Sequence, residues 1–461
     1  MEANAKSAAV LYPCAGLSLF CTLSGNGRGS FTYNSRTFKV NGSTLYELFS
    51  DGTFAAIGDV GNDGGIVTFA SNQGQQLAVC SAGNIYIYKM DTGSFLPAPQ
   101  TLLTTAVRVD FCETYFLALL TNGEFQISAP LDGTSWPGAQ FVRPQNFPDN
   151  ATTAIVDHNE YWVWSPTRAM GYYVSGSSSI FDPIGSSAFM EDGSAAPNSV
   201  LRADNTYFWI DASERGGGIA RRAAGVIPQR ISNHAVEYQW STYPTITDAV
   251  GYSFQDQGHT FIQWRFPSAN GGRGTTWVYD VETQEFHERG YWDAANSIYW
   301  AHRSNTHTYN NTWGKHLVSD WYSGKIYDMS INYVDDNGDA IRRMRITPPI
   351  SLEKKRIYHQ RLELDLEAGL GTNSGQGQNP QMMLSWTNDM HSWTDEYMMA
   401  CGKIGQYNHR VYLNRLGQAR QRAYQISTTD PIPWRIIEAY LEASPGFPVT
   451  ERITKQYASS T

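Results

Sequence analysis

Apolar and polar residues alternate along this chain in short bursts that stop at glycine. The run Leu77, Ala78, Val79, Cys80 ends at Ala82-Gly83; Ile85, Tyr86, Ile87 and Tyr88 resume beyond it, and Asp91-Thr92-Gly93 closes the unit before Phe95. β-Branched and aromatic residues on both sides of a glycine turn predict a two-stranded reversal, because glycine takes positive φ without steric cost. A hairpin this small cannot bury its own apolar face. The same order recurs around Gly42, Gly123, Gly171, Gly218, Gly274 and Gly324. With Gly83 these seven glycines are spaced by 41, 40, 48, 47, 56 and 50 residues. That is the period of a four-stranded propeller blade, roughly 40 to 50 residues. The pattern therefore predicts an all-β chain, a β-propeller of about seven blades, with Ile85, Ile87, Phe125, Ile127, Val278 and Ile326 in strands.

The hydropathy pattern also sets domain limits. Residues 1–28 read as an N-terminal arm, 29–340 as the propeller, 341–448 as a smaller C-terminal β-domain and 449–461 as a tail. Ala8 to Cys21 is mostly apolar, but Glu2 and Pro13 argue against a signal peptide and for an extended segment packed on the body. The widest glycine spacing leaves room for an insertion, Gly225 to Pro244. Past Asp339, Leu362, Leu364 and Leu366 alternate with Glu363, Asp365 and Glu367, a half-buried strand.

Composition fits many short strands. Aromatic content is 13%, charged content only 17%, and there are 41 glycines. The net charge of −9 removes overall charge as a means of binding nucleic acid, leaving only a local basic face. The five cysteines (Cys14, Cys21, Cys80, Cys112, Cys401) lack paired spacing and read as buried free thiols of a protein made in a reducing cytoplasm. No stretch of about twenty apolar residues is present to span a membrane.

Candidate chemistry is sparse. Glu160, Asp211, Asp280, Glu285 and Asp320 are the carboxylates that a glycoside-cleaving propeller would have to bring together at its centre. Asp at a blade turn is more often structural. His234 and Glu237 lack the second histidine of a zincin helix. Asp335, Asn337 and Asp339 begin like a calcium loop, but Ala340 and Ile346 stand where that loop needs Gly and Glu, so a polar hairpin turn is expected. Ser385, Asn388, Asp389 and Trp393 have the form of an Asp-box hairpin, in which a carboxylate pins the turn and the Trp packs beneath.

One charge feature stands out. Arg342, Arg343, Arg345, Lys354, Lys355, Arg356 and Arg361 face a single acid, Glu353, in the stretch that opens the C-terminal domain. Lys403, Arg410, Arg415, Arg420 and Arg422 then fall in a run, Tyr397 to Thr429, without any acid. The domain reads either as a solvated basic surface or as a docking face for an acidic protein or DNA phosphates. Arg342, Arg343, Arg345, Lys354, Lys355, Arg356, Arg410, Arg415, Arg420 and Arg422 are the candidate interface or channel residues, with Arg415, Arg420 and Arg422 expected to matter more to assembly than to folding.

The block LELDLEAG, LSWTNDMHSW, RVYLNRLGQARQRAYQIS and a final strand ending in EAYLE resembles the C-terminal region of the packaged-DNA stabilisation proteins of short-tailed phages, also called tail hub or nozzle proteins. Arg415-Leu416-Gly417 matches the Arg-x-Gly corner of that family, and TTWVYDVETQEFHERGYW its last propeller hairpin. The resemblance implies a structural virion protein without catalytic chemistry or cofactor. It implies a homo-hexameric ring below the portal and its adaptor, continuing the DNA channel, helping to retain the packaged genome and carrying tail fibres or tailspikes. The reading of a different class is a sialidase-like or lectin-type glycan-acting propeller, which would need convergent carboxylates.

Overall fold

In a computed structural model of the chain, the residues described are 10–446 except 74, 97–101, 146, 178, 186–188 and 213–216. The expected tail, 449–461, and the first nine residues of the expected arm lie outside them. Two compact units are present among the described residues, Ser18–Met329 and a second built from 10–17 with 330–446.

The first unit is a propeller of seven antiparallel sheets, here blades 1 to 7. Their first strands are Gly27–Tyr33, Thr68–Ser71, Ala106–Cys112, Thr153–Asp157, Leu201–Ala203, Val250–Asp256 and Ser304–Asn310. Each packs beside the next, and Ser304–Asn310 returns to Gly27–Tyr33, so the series closes into a ring. The six residues expected in strands are all found there.

Five of the seven periodic glycines mark one place in their blades, the reversal between the second and third strands. Gly42, Gly83, Gly123, Gly274 and Gly324 lie in that turn, whereas Gly218 opens a third strand and Gly171 lies within one. At Gly171 a β-carbon would come within 2.9 Å of the Trp162 ring and 2.7 Å of Ile184, so this glycine is there for packing. The expected insertion, Gly225 to Pro244, holds an outer strand, Ile227–Arg230, and an eight-residue helix, His234–Ser241, capped by Asn233.

Blade packing follows strand alternation. In Tyr115–Leu120 of blade 3, Phe116, Ala118 and Leu120 face blade 2 and join Ala78, Cys80, Ile85 and Ile87 in one apolar cluster. The intervening Leu117 and Leu119 face blade 4 and pack with Tyr161, Val163 and Tyr172. A strand buried on both faces reads as a continuous apolar run, and so this one does.

Blade 7 is closed by the other end of the chain. Its strands Ser304–Asn310, Lys315–Asp320 and Lys325–Ser330 are followed in the sheet by Gly16–Thr22. The expected arm is thereby corrected: its residues 16–22 are a blade strand, and Gly27 already begins blade 1. As expected of a segment packed on the body, this stretch is extended, and Leu17, Cys21 and Leu23 are buried while Leu19 is exposed. The Leu23 amide donates to the Gly324 carbonyl at 2.8 Å. A β-carbon on Gly324 would lie 1.9 Å from the Leu23 carbonyl oxygen.

The second unit is a β-sandwich. One sheet runs Arg343–Ile346, Gln421–Thr428, Gln381–Thr387, Tyr397–Ala400, and the other Val411–Ala419, Ile357–Leu366, Ile436–Pro445. Leu362, Leu364, Met382, Leu384, Val411, Tyr424 and Ile426 fill the space between them. The Asp335–Ala340 segment is the expected polar hairpin, with the Gly338 amide donating to Asp335 Oδ1 at 2.9 Å.

Candidate interface residues and candidate carboxylates

The five candidate carboxylates are spread over four blades, and each described partner is local. Glu160 accepts from Trp162 Nε1 at 2.9 Å. Asp211 receives Arg221 Nε at 2.7 Å; burial raises its pKa and Arg221 works against the rise. Asp320 accepts from the Tyr322 amide and Ser323 hydroxyl of its own turn. Asp280 accepts from Thr283 and pairs with His259 Nδ1 at 2.8 Å; burial works to raise its pKa, but these bonds hold it below the ordinary value. Glu285 is exposed, opposite Asp280 in the sheet register.

His259, Asp280 and Glu282 bring their ligand atoms within 4.8 Å of one another. The carboxylates are already engaged, Glu282 by the Thr260 amide at 2.6 Å and Asp280 as above. The group pins a turn. His234 is exposed at the start of its helix, and Glu237 pairs with Arg230.

The ten basic candidates of the sandwich do not form one face. Arg422 is only 2% exposed. Its guanidinium donates to Asn388 Oδ1 at 2.8 Å and the Leu416 carbonyl at 2.5 Å, beside the rings of Trp386 and Tyr424. Arg343 is buried too and donates to the carbonyls of Val334 and Asp430. The expectation that Arg422 matters more to assembly than to folding is corrected: it ties the two sheets from within. Burial and the neighbouring Arg422 charge also push His359 down to about 4, while its Nδ1 bonds the Tyr424 hydroxyl.

Three others are neutralised by acids lying outside the acid-free run. Arg410 makes a two-pronged bond to Glu363, Arg342 pairs with Glu396 at 3.1 Å, and Lys355 with Glu353 at 2.7 Å. Arg345 donates to the Met344 carbonyl. Lys354, Arg356 and Arg420 do gather, because Ile357 pairs with Ala419 and Ile350 with Arg422, and Arg420 donates to the Lys354 carbonyl at 3.2 Å. Arg415 is exposed farther along Val411–Ala419, at φ 60° with Gly417 at φ 77°, so the Arg-x-Gly corner is a bulge inside a strand.

Asp389 pins its turn as an Asp-box aspartate does. Ser392 through its hydroxyl, the His391 and Ser392 amides, and Thr387 hold it well below the usual carboxylate range. Trp393 departs from that motif, being 40% exposed rather than packed beneath.

The fold is thus a propeller in which four of the candidate carboxylates bond within their own blades, followed by a sandwich in which several of the basic candidates are buried or paired with acids. The family model described as "Bacteriophage P22 Gp10, beta-propeller" matches residues 1–333, and that described as "Bacteriophage P22 Gp10, beta-sandwich" matches 342–444. The chain belongs to this family of phage tail-stabilisation, or nozzle, proteins; it is a structural protein of the virion tail and not an enzyme. No curated protein matches it. Similar solved structures include a streptogramin B lyase (10% identity, 69% of this chain and 98% of the other, TM-score 0.45) and the WD40 repeats of RRP9 (7% identity, 70% and 99%, TM-score 0.44). The computationally designed Ika8 protein is another (9% identity, 68% and 99%, TM-score 0.43).

Proposed function

We propose that this protein is the hub subunit of a short phage tail, six copies forming a ring below the portal and its adaptor. The ring continues the DNA channel, helps to retain the packaged genome and offers seats to fibres or spikes. The observation that carries this reading is the family match over both domains, 1–333 and 342–444. Within the sandwich, the cluster of Lys354, Arg356 and Arg420 is the best-placed contact for an acidic partner or phosphates, because burial or an acid already occupies most of the other basic side chains.

The test is particle assembly without this subunit. Heads filled in its absence should lose DNA, and adding purified protein should restore retention with sixfold density below the portal. Normal retention in its absence would overturn the reading.

A further inference from the structure

Blade 7 is seated unlike the blades before it. On its blade 1 side, small polar residues recur at every second position of two neighbouring first strands. Ser30 shares a hydrogen bond with Thr306 at 2.6 Å, and Thr308 donates to Thr32 at 2.8 Å. Asn310 donates to Thr37 at 2.9 Å, and Ser35 bonds Thr312. Below this ladder lies Lys39, with none of its surface exposed. Its ammonium nitrogen donates to Ser30 Oγ at 2.7 Å and to the Leu317 carbonyl at 3.0 Å, two uncharged acceptors. The buried Cys21 thiol acts on it, and it acts in turn on His307 across the blade.

On the blade 6 side, His307 Nε2 and His316 Nδ1 are 3.0 Å apart, and the Tyr252 and Phe254 rings pack on His307. One nitrogen of that pair donates and the other accepts, so full protonation of both rings would destroy the bond and set two cations in contact. Asp256 and Asp328 act on His316, Lys315 pairs with Asp328, and Arg289 lies over Phe254. His302, near the start of the blade, bonds Ser304 and faces Arg289 and Arg303.

We propose that blade 7 detaches from the ring as a unit, and that proton uptake at Lys39 on one face and at the His307–His316 pair on the other drives its release. The closed ring disfavours the charged form of these groups; the open one lets water solvate it. Burial depresses Lys39 to about 7 and holds His307 well below its ordinary value. A base with a depressed folded-state pKa costs stability as pH falls. The lysine contributes from about 10.5 down to 7, and the histidines below about 6.5. The two faces therefore act in separate pH windows.

The chain carries its own reporters. Cys21 lies in the closing strand, in a cluster with Tyr46 and Leu48 of blade 1 and Leu317 and Ile326 of blade 7. Cys80 and Cys112 are buried in blades 2 and 3. The experiment labels the intact protein with dithiodipyridine from pH 9 to 5, divides each cysteine's rate by that in unfolded chain, and maps the sites by mass spectrometry. Cys21 should react before Cys80 and Cys112 at every pH, its opening rising about tenfold per pH unit between 9 and 7.5. Lys39→Met should flatten that slope, and His316→Gln should reduce only the part below pH 6.5, where the buried His307 remains. Equal rates at the three cysteines would overturn the proposal, as would a Cys21 slope absent from the parent or retained in Lys39→Met. If Lys39→Met does not fold, the parent's slope and the His316→Gln profile still decide.

Discussion

The seam between blades 2 and 3 is packed by one apolar cluster, whereas the seam between blades 7 and 1 sets a polar ladder beside a smaller apolar cluster. The former stacks Ala78, Cys80, Ile85 and Ile87 on Val109, Phe116, Ala118 and Leu120. The latter zips Ser30, Thr32 and Thr37 to Thr306, Thr308 and Asn310, with Lys39 buried beneath. Apolar burial is strong and indifferent to register; a fully buried large side chain contributes about 1.5 to 3 kcal/mol. A hydrogen-bonded rung contributes a net of about 1 kcal/mol but works in only one register. Blade 1 must meet a blade completed by the chain's own beginning, across almost three hundred residues of sequence, and that is where directional contacts sit.

The largest effect expected is on the apolar seam. Phe116→Ala should cost about 3 to 5 kcal/mol in denaturant unfolding, because it leaves a cavity between two blades. That loss should stay flat between pH 5 and 9. Next comes the closing strand: Gly324→Ala should cost about 3 kcal/mol, since the atom in the way is the Leu23 backbone carbonyl and cannot rotate aside. Limited proteolysis should then cut within residues 16–22 before any other strand.

The sandwich offers the same contrast on a smaller scale. Arg422→Met should lower stability by about 2 kcal/mol, leaving the Leu416 carbonyl and Asn388 unsatisfied, whereas Arg420→Gln should cost about 0 to 1. Equal losses would mean that Arg422 is not the internal tie described above. The smallest effect belongs to a single rung. Thr308→Val should cost about 1 kcal/mol, read as a shift of the thermal midpoint.

Much of this fold is legible in sequence, since strand alternation and glycine turns are local signals. The period found blade after blade, and Leu362, Leu364 and Leu366 marked a sandwich strand. The closing strand was missed because its partner lies at the far end of the propeller, and local alternation cannot name a partner. The polar ladder did carry a local signal: Ser304, Thr306, Thr308 and Asn310 fall at every second position, as do Ser30 and Thr32. Polar alternation is ordinarily read as a solvent face, and only tertiary pairing turns it into a seam. The basic run misled for a related reason. Counting acids within Tyr397–Thr429 overlooks Glu363, which strand pairing brings to Arg410.

The contrast between the two seams is tested most directly by native-state hydrogen exchange at low denaturant, comparing the amides of Lys315–Asp320 with those of Tyr115–Leu120. The first set should exchange through an opening of lower free energy that depends little on denaturant, while the second should exchange only with global unfolding. If both sets fall on one isotherm, blade 7 is no more separable than blade 3, and the account of a polar, releasable seam is wrong.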